Sequence, residues 1–231
     1  MNIAYLNHQK IEWNPEKLSR QVELYKRIDM DCVIYCGVEL IKQDKKRVLL
    51  PYYSDEVYTT ILVGNFVFLS SVLLPKTIIE DVGLFETAYD IPEDHVLWIR
   101  SAAKYKFYFV REPLVSQYVM PASRSSHAEK KVGTYFALLC RYREVISQKG
   151  LLRPALSNYF LSIAMLYRRR GEHRKAFPYD VSAASLWPSF RSCIRLCISF
   201  LEYLTNMSIG ELILYNKLIP IRRKKISVNS K

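Results

Sequence analysis

The ten residues Ile91-Pro92-Glu93-Asp94-His95-Val96-Leu97-Trp98-Ile99-Arg100 decide how this chain is read. Asp90 before them is a capping residue, Pro92 suits a first helical turn, and Asp90-x-x-Glu93 fits a capping box, so a helix is predicted to begin here. Leu97, Trp98, Ser101, Ala102 and Tyr105 then recur on one stripe that can lie on a core. The adjacent carboxylates Glu93 and Asp94 are left at the outward-facing start, where a fold can hold an acid at the rim of a cleft. The same two acids also complement the positive end of the helix dipole, a purely structural role.

Upstream, Pro75–Val82 predicts a short helix stopped at Gly83, which can take the left-handed conformation that ends helices. Before it, Val57–Pro75 runs nineteen residues without a charge, close to the length of a membrane span. Its Val, Ile, Phe and Tyr content, with Thr59, Thr60, Ser70 and Ser71, suits two buried strands broken near Gly64-Asn65 instead. At the N-terminus a strand is expected over Ile3–Leu6, then a polar turn Asn7–Lys10. Asn14-Pro15 should open a helix that Leu18, Val22 and Tyr25 carry to about Asp29. Cys32–Ile41 reads as a buried strand, and Lys42–Lys46 as its charged turn. Downstream, strands are expected at Phe107–Val110 and Leu114–Tyr118 around a turn at Arg111-Glu112-Pro113. Alternating helices and strands predict a layered α/β domain over residues 1–125. From about Ser126 the apolar spacing turns helical, and four or five helices are expected in an all-α region over 126–231.

A chain of 231 residues, 50% hydrophobic and 13% aromatic, has ample material for a core. Its net charge of +12 favours an anionic partner such as nucleic acid, a sugar nucleotide or anionic lipid. Nucleic acid is set aside because the basic residues are not interleaved with aromatics on a reader motif. Cys32, Cys36, Cys140, Cys193 and Cys197 are an odd set without a secretory segment, which reads as reduced thiols in a cytoplasmic protein. The cysteine pairs have no matching histidine pair, so no zinc site is expected. Arg168–Arg170 with His173–Lys175, and Arg222–Lys225, read as solvated helix ends and a charged tail. A sharper reading joins the apolar Ile209–Ile221 to that tail as a peripheral contact with an anionic inner-membrane surface.

Several blocks together carry a resemblance. Asn65-Phe66 and Ser70-Ser71-Val72, then Val82-Gly83-Leu84-Phe85-Glu86, the opening motif, and Glu112-Pro113-Leu114 resemble the acceptor half of family-2 glycosyltransferases of the GT-A fold. Trp13-Asn14-Pro15-Glu16-Lys17-Leu18 and Tyr35-Cys36-Gly37 are similar to the segment after that family's metal-binding strand. The resemblance covers about residues 3–125 and implies a partial GT-A, Rossmann-like layered sheet. It implies inverting transfer of a sugar from a nucleotide-sugar donor to a saccharide or lipid-linked acceptor in surface-polysaccharide assembly. Asp94 would be the general base, taking a proton from the attacking hydroxyl. Glu93, Arg100 and Asn65 would bind or orient the acceptor or the base, and Trp98 would serve packing.

The departures from the family pattern are as specific. The first nucleotide-binding half is expected to be missing, since the chain starts almost on the metal strand. Where the family's acidic metal motif would follow Tyr5-Leu6, this chain has Asn7-His8-Gln9, and Met120-Pro121-Ala122-Ser123 lacks the usual histidine. Mg²⁺ and Mn²⁺ need oxygen ligands, so no cofactor is expected, and Asn7, His8 and Lys10 are the donor-side remnant. Two readings stay open. One is an incomplete transferase that uses a partner chain or self-association; the other is a non-catalytic relative acting as a binding or interaction module.

Overall fold

The computed structural model describes residues 3–6, 9–42, 45–51, 56–86, 92–118 and 128–205. The expected cap at Asp90, the positions Asn7 and His8, the stretch Met120–Ser123 and the apolar-basic tail beyond residue 205 lie outside them. The chain begins with β1 (Ile3–Leu6) and β2 (Gln9–Trp13), then α1 (Lys17–Ile28), β3 (Cys32–Lys42) and β4 (Lys45–Leu49). Next come α2 (Val57–Val63), α3 (Lys76–Val82), α4 (Glu93–Lys104) and β5 (Lys106–Tyr118). The sheet has the order β1-β2-β5-β3-β4, with β3 and β5 parallel and the other pairs antiparallel. The result is mixed α/β, and no helix among the described residues is long and apolar enough to cross a membrane.

Strand β3 organises this sheet. Cys32–Val38 are all buried: β5 pairs along one edge, Leu73 bridges Ile34 on the other before β4 takes over from Val38, and apolar clusters cover both faces. Alternation sends Val33 and Tyr35 into one apolar cluster with Val96, Leu97, Trp98 and Ile99 of α4. Cys36 and Val38 join another with Ile11, Leu114 and Val115. Burial pushes the Cys32 and Cys36 thiols up to about 11, which keeps them protonated and unreactive.

Four expectations about local structure are corrected. Gln9 and Lys10 are not in a turn but in β2, where Leu6 pairs with Gln9 and Tyr5 with Lys10. Lys42, Lys45 and Lys46 likewise belong to the ladder of β3 and β4, with Lys42 opposite Lys45. The expected strands over 57–75 are instead α2, followed by extended chain, a single 3₁₀ turn at Leu69–Ser71 and a bridge from Leu73 to Ile34. Local β preference loses here because the Thr59 and Thr60 hydroxyls donate back to Glu56 O, while Ile61 and Leu62 are buried against the α4 core. The two strands expected around Arg111-Glu112-Pro113 are one strand, β5, with a bulge: Cys36 pairs with Val110 but Gly37 with Pro113. Gly37 permits that approach, since a Cβ there would sit 2.9 Å from Glu112 O and 3.2 Å from Leu49 O.

Helix α1 forms where expected, but Lys17 and Gln21 are buried while Leu18 and Val22 are exposed. Gln21 Nε2 donates to Ser71 O at 2.9 Å and Ile34 O at 3.3 Å. Lys17 Nζ donates to Gln21 Oε1 at 2.9 Å and lies 4.2 Å from the centre of the Trp13 ring. These polar contacts, unreadable from helical spacing, set the helix's rotation on the sheet.

The chain divides into two compact units at Tyr159/Phe160, beyond the expected boundary at 125. Helices α5 (Ala128–Arg141), α6 (Arg143–Gln148) and the start of α7 (Leu152–Arg169) belong to the first unit by residue number. Leu138, Ile146 and Ala155 of these helices enter the same core as Trp98. In the second unit, α8 (His173–Leu186) and α9 (Phe190–Thr205) follow α7, so five helices lie beyond residue 126 among the described residues. Arg168 Nε donates to Glu202 Oε2 at 2.7 Å, its Nη2 pairs with Asp180, and Ser199 Oγ donates to Asp180 at 2.8 Å.

Candidate functional site

Helix α4 forms where expected but begins at Glu93 itself, with Pro92 in the cap position and no side-chain cap, so Glu93 is the first helical residue rather than the third that the expected capping box requires. Glu93 and Asp94 occupy its first turn behind Pro92. Glu93 is exposed and Asp94 half-buried. The next residues, His95 to Ile99, are all buried, so packing holds the acidic start in a fixed place.

Both Asp94 oxygens are engaged. Oδ1 accepts the backbone N–H of His95 at 2.8 Å, and Oδ2 accepts Asn65 Nδ2 at 3.1 Å. The Asn65 amide has its orientation set, because its Oδ1 accepts the Val67 N–H at 2.9 Å and its NH₂ is therefore turned toward the carboxylate. A carboxylate offers about four lone-pair sites, so two donors leave room for a hydroxyl proton.

His95 supports this arrangement from beneath. It is 2% exposed, and its Nε2 lies 2.7 Å from Ile61 O, joining the first turn of α4 to α2. A carbonyl partner makes Nε2 the donor, and burial pushes the imidazole below its ordinary 6.5, so the ring is neutral. Its other nitrogen, Nδ1, is buried without a hydrogen-bond partner. Tyr135 of α5 sets its ring edge-on to His95, with centroids 6.4 Å apart. Burial, reinforced by the Asp94 charge, raises the Tyr135 hydroxyl above the usual tyrosine value.

Arg100 sits at the other end of the helix's buried run and serves the preceding loop. Its Nη1 donates to Glu86 Oε1 at 3.2 Å, and Nη2 donates to Leu84 O at 2.6 Å and Gly83 O at 3.3 Å. Arg141 of α5 pairs with the same Glu86 carboxylate, and its hydrogen bond, with the charges of Arg141 and Arg100, lowers that carboxyl from its usual value. The structure thus brings Asp94 and Asn65 together and places Arg100 on the Gly83–Glu86 loop.

Lys10, expected as part of a donor-side remnant, forms an ion pair with Glu12 at 2.7 Å and lies 4.7 Å from the centre of the Tyr118 ring. Glu12 also accepts the Tyr118 hydroxyl at 2.9 Å, and its bonds to Lys10 and Tyr118 lower its carboxyl from the ordinary value. Glu12 is the acid of β2, and its charge is already answered by a lysine. Among the described residues no group of three or more His, Cys, Asp or Glu is gathered as a metal site.

Sequence reasoning missed His95 and Tyr135. The signal for His95 was a polar residue inside an otherwise apolar buried run. Tyr135 carried none, because it lies in the region read as a separate helical extension.

No family profile matches this chain. It is similar to an uncharacterized glycosyltransferase of Rickettsia typhi, at 25% identity over 180 residues, which is 73% of this chain and 56% of that protein. A second such protein, from Rickettsia prowazekii, is 21% identical over 185 residues, or 76% of this chain and 58% of the relative. A shorter stretch of 106 residues is 28% identical to an uncharacterized glycosyltransferase of Rickettsia conorii, covering 42% of this chain and 17% of that protein. The chain spans a little over half the length of the first two relatives. These likenesses support a glycosyltransferase-like protein.

Proposed function

We propose that the chain carries the acceptor half of an inverting, family-2-type glycosyltransferase of the GT-A class. In this reading Asp94 is the general base for a saccharide or lipid-linked acceptor. The observation that carries it is the Asp94 carboxylate, aimed from the start of a buried helix by the Asn65 amide and the His95 N–H. As the acceptor oxygen forms its bond to the anomeric carbon, its proton passes to Asp94. The bond from that carbon to the nucleotide diphosphate breaks, and the diphosphate leaves with the electron pair. Asn65 positions the base, while Glu93, exposed one residue earlier, is placed to meet acceptor hydroxyls. Arg100 and Arg141 fix the loop through Glu86. The donor half would come from a partner chain or from sequence beyond this one. Residues 209–225 would bring the protein to an anionic membrane surface in the cytoplasm.

The paired Lys10–Glu12 favours the second reading, a non-catalytic relative that binds the acceptor. Sugar transfer by the smallest assembly that is active separates the two. Asp94→Asn is expected to lower transfer by about 10²-fold or more with the fold intact. Unchanged transfer removes Asp94 from the role of base. Acceptor binding without transfer by any assembly of the wild-type chain establishes the binding-module reading.

A further inference from the structure

The α8–α9 hairpin is built with its polar side inward. The buried residues of α9 are Ser192, Arg195, Ile198, Ser199 and Glu202, four of them polar. They recur at spacings of three and four, so they form one stripe. On the opposite side of the helix lie Cys193, Cys197, Phe200, Leu201 and Leu204. Phe200, Leu201 and Leu204 are 48%, 47% and 58% exposed, and Tyr203 beside them is 40% exposed. Phe177 of α8 extends this surface, with its ring 5.0 Å from Tyr203 and 5.9 Å from Phe200 between centroids.

The inward polar stripe has a definite task. Asp180 and Glu202 are buried and both take Arg168, so their charges are spent inside the unit. By sequence, the rest of this region is strongly cationic. Residues 160–231 hold thirteen Lys and Arg against four Asp and Glu, a net +9 of the chain's +12, and two of those four acids are the buried pair. The apolar run Ile209–Ile221 and the four cations Arg222–Lys225 continue the chain directly after α9.

We propose that the outer face of α8 and α9, formed by Phe177, Phe200, Leu201, Tyr203 and Leu204, docks on an anionic phospholipid bilayer. Charge selects this occupant. A second copy would bring another +9 against the first, and a nucleic-acid strand offers the cations a partner but gives the half-exposed leucines and phenylalanine nothing apolar to enter. A bilayer of anionic lipid offers both. The contact lies on the surface rather than through it, since sixteen residues of helix reach only about 24 Å against a hydrocarbon core of about 30 Å. The surface extends the reading of the tail as a membrane contact by adding an apolar anchor inside the folded unit, and it is independent of the role of Asp94.

The full chain is tested by co-sedimentation with vesicles of phosphatidylethanolamine and phosphatidylglycerol, with phosphatidylcholine vesicles as the neutral control. Wild-type protein should pellet with the anionic vesicles and only weakly with the neutral ones. The variant L201E/L204E should lose about tenfold in partitioning for each leucine. Deleting residues 222–231 should weaken binding in a salt-dependent way, by about fivefold for each cation near the surface. Because Leu201 and Leu204 are half-exposed, the double variant should keep its circular dichroism and melting temperature. As a second readout, Y203W should shift its emission to the blue on adding anionic vesicles. Failure of the wild-type chain to pellet overturns the proposal, as does equal binding by L201E/L204E. Loss only on tail deletion confines the contact to the tail and also overturns it. Duplex DNA or RNA bound indifferently to L201E/L204E, with no vesicle binding, makes the occupant a nucleic acid. A concentration-dependent dimer abolished by the same variant makes it a second copy.

Discussion

Helices α4 and α9 are both amphipathic, yet they bury opposite kinds of face. In α4 the apolar residues Val96, Leu97, Trp98 and Ile99 enter the core and the two acids stand at the exposed start. In α9 the protein interior takes Ser192, Arg195, Ser199 and Glu202 while Phe200, Leu201 and Leu204 face out. Periodicity reveals which residues share a face of a helix, but not which face meets protein. The burial of a partner charge decides that for α9, because Arg168 draws Glu202 and Asp180 inward.

Substitution can break this contrast. Trp98→Ala should cost about 3–5 kcal/mol in denaturant unfolding, since the ring is 1% exposed in the cluster with Val33 and Tyr35. A loss under about 1 kcal/mol would mean that α4 is not the helix anchoring that core. Arg168→Met should destabilise by a comparable 3–5 kcal/mol, because it leaves the carboxylates of Asp180 and Glu202 buried without their guanidinium. The triple variant Arg168→Met/Asp180→Leu/Glu202→Leu should recover most of that loss. Recovery would mark the polar interior as a choice of orientation rather than a source of stability.

A smaller effect comes from His95. Burial lowers its folded-state value below the ordinary 6.5, so the folded state binds fewer protons than the unfolded one. Its contribution to stability is present above pH 6.5 and is lost as pH falls through the depressed folded value. Melts of the wild-type chain should therefore decline on acidification below pH 6.5, by at most about 1.4 kcal/mol per pH unit from this group. His95→Gln should flatten that part of the profile, and an unchanged slope would assign it to other groups. The smallest effect is expected at Leu201→Ser, within about 0.5 kcal/mol, because the side chain is already half in solvent. A cost near that of Trp98→Ala would mean that the outer face of α9 is covered within the chain itself.

Much of the fold was legible from local signals. The stop of α3 at Gly83 follows from its positive φ of 84°, and the start of α4 at Glu93 from Pro92 and the acids behind it. The pairing of Asp94 with Asn65 was legible only in part: both positions were marked, but the bond spans 29 residues and no periodicity carries it. Helix α2 was hidden because Val, Thr and Ile favour strands locally, and its helical form depends on burial against α4. The bulge in β5 was mistaken for a turn because Pro113 punctuates the sequence either way, and only the Gly37 partner strand shows that pairing resumes beyond it. Lys10 was marked only as a donor-side remnant, and its ion pair with Glu12, two residues on in β2, and its place over the Tyr118 ring of β5 were not legible, because the pairing of β2 with β5 is supplied from far along the chain.

By itself the sequence determined the alternating α/β start, the helical remainder, the acidic opening of α4 and the cationic excess after residue 160. These depend on spacing, capping and charge, which act within a few residues or over the whole surface. Tertiary structure alone decided the rotation of α1 and α9, the joining of Tyr135 and His95 near Asp94, and the placing of Lys10 over the Tyr118 ring. Those outcomes rest on single buried polar partners supplied from distant parts of the chain, and an unpartnered charge in the interior costs more than an exposed leucine.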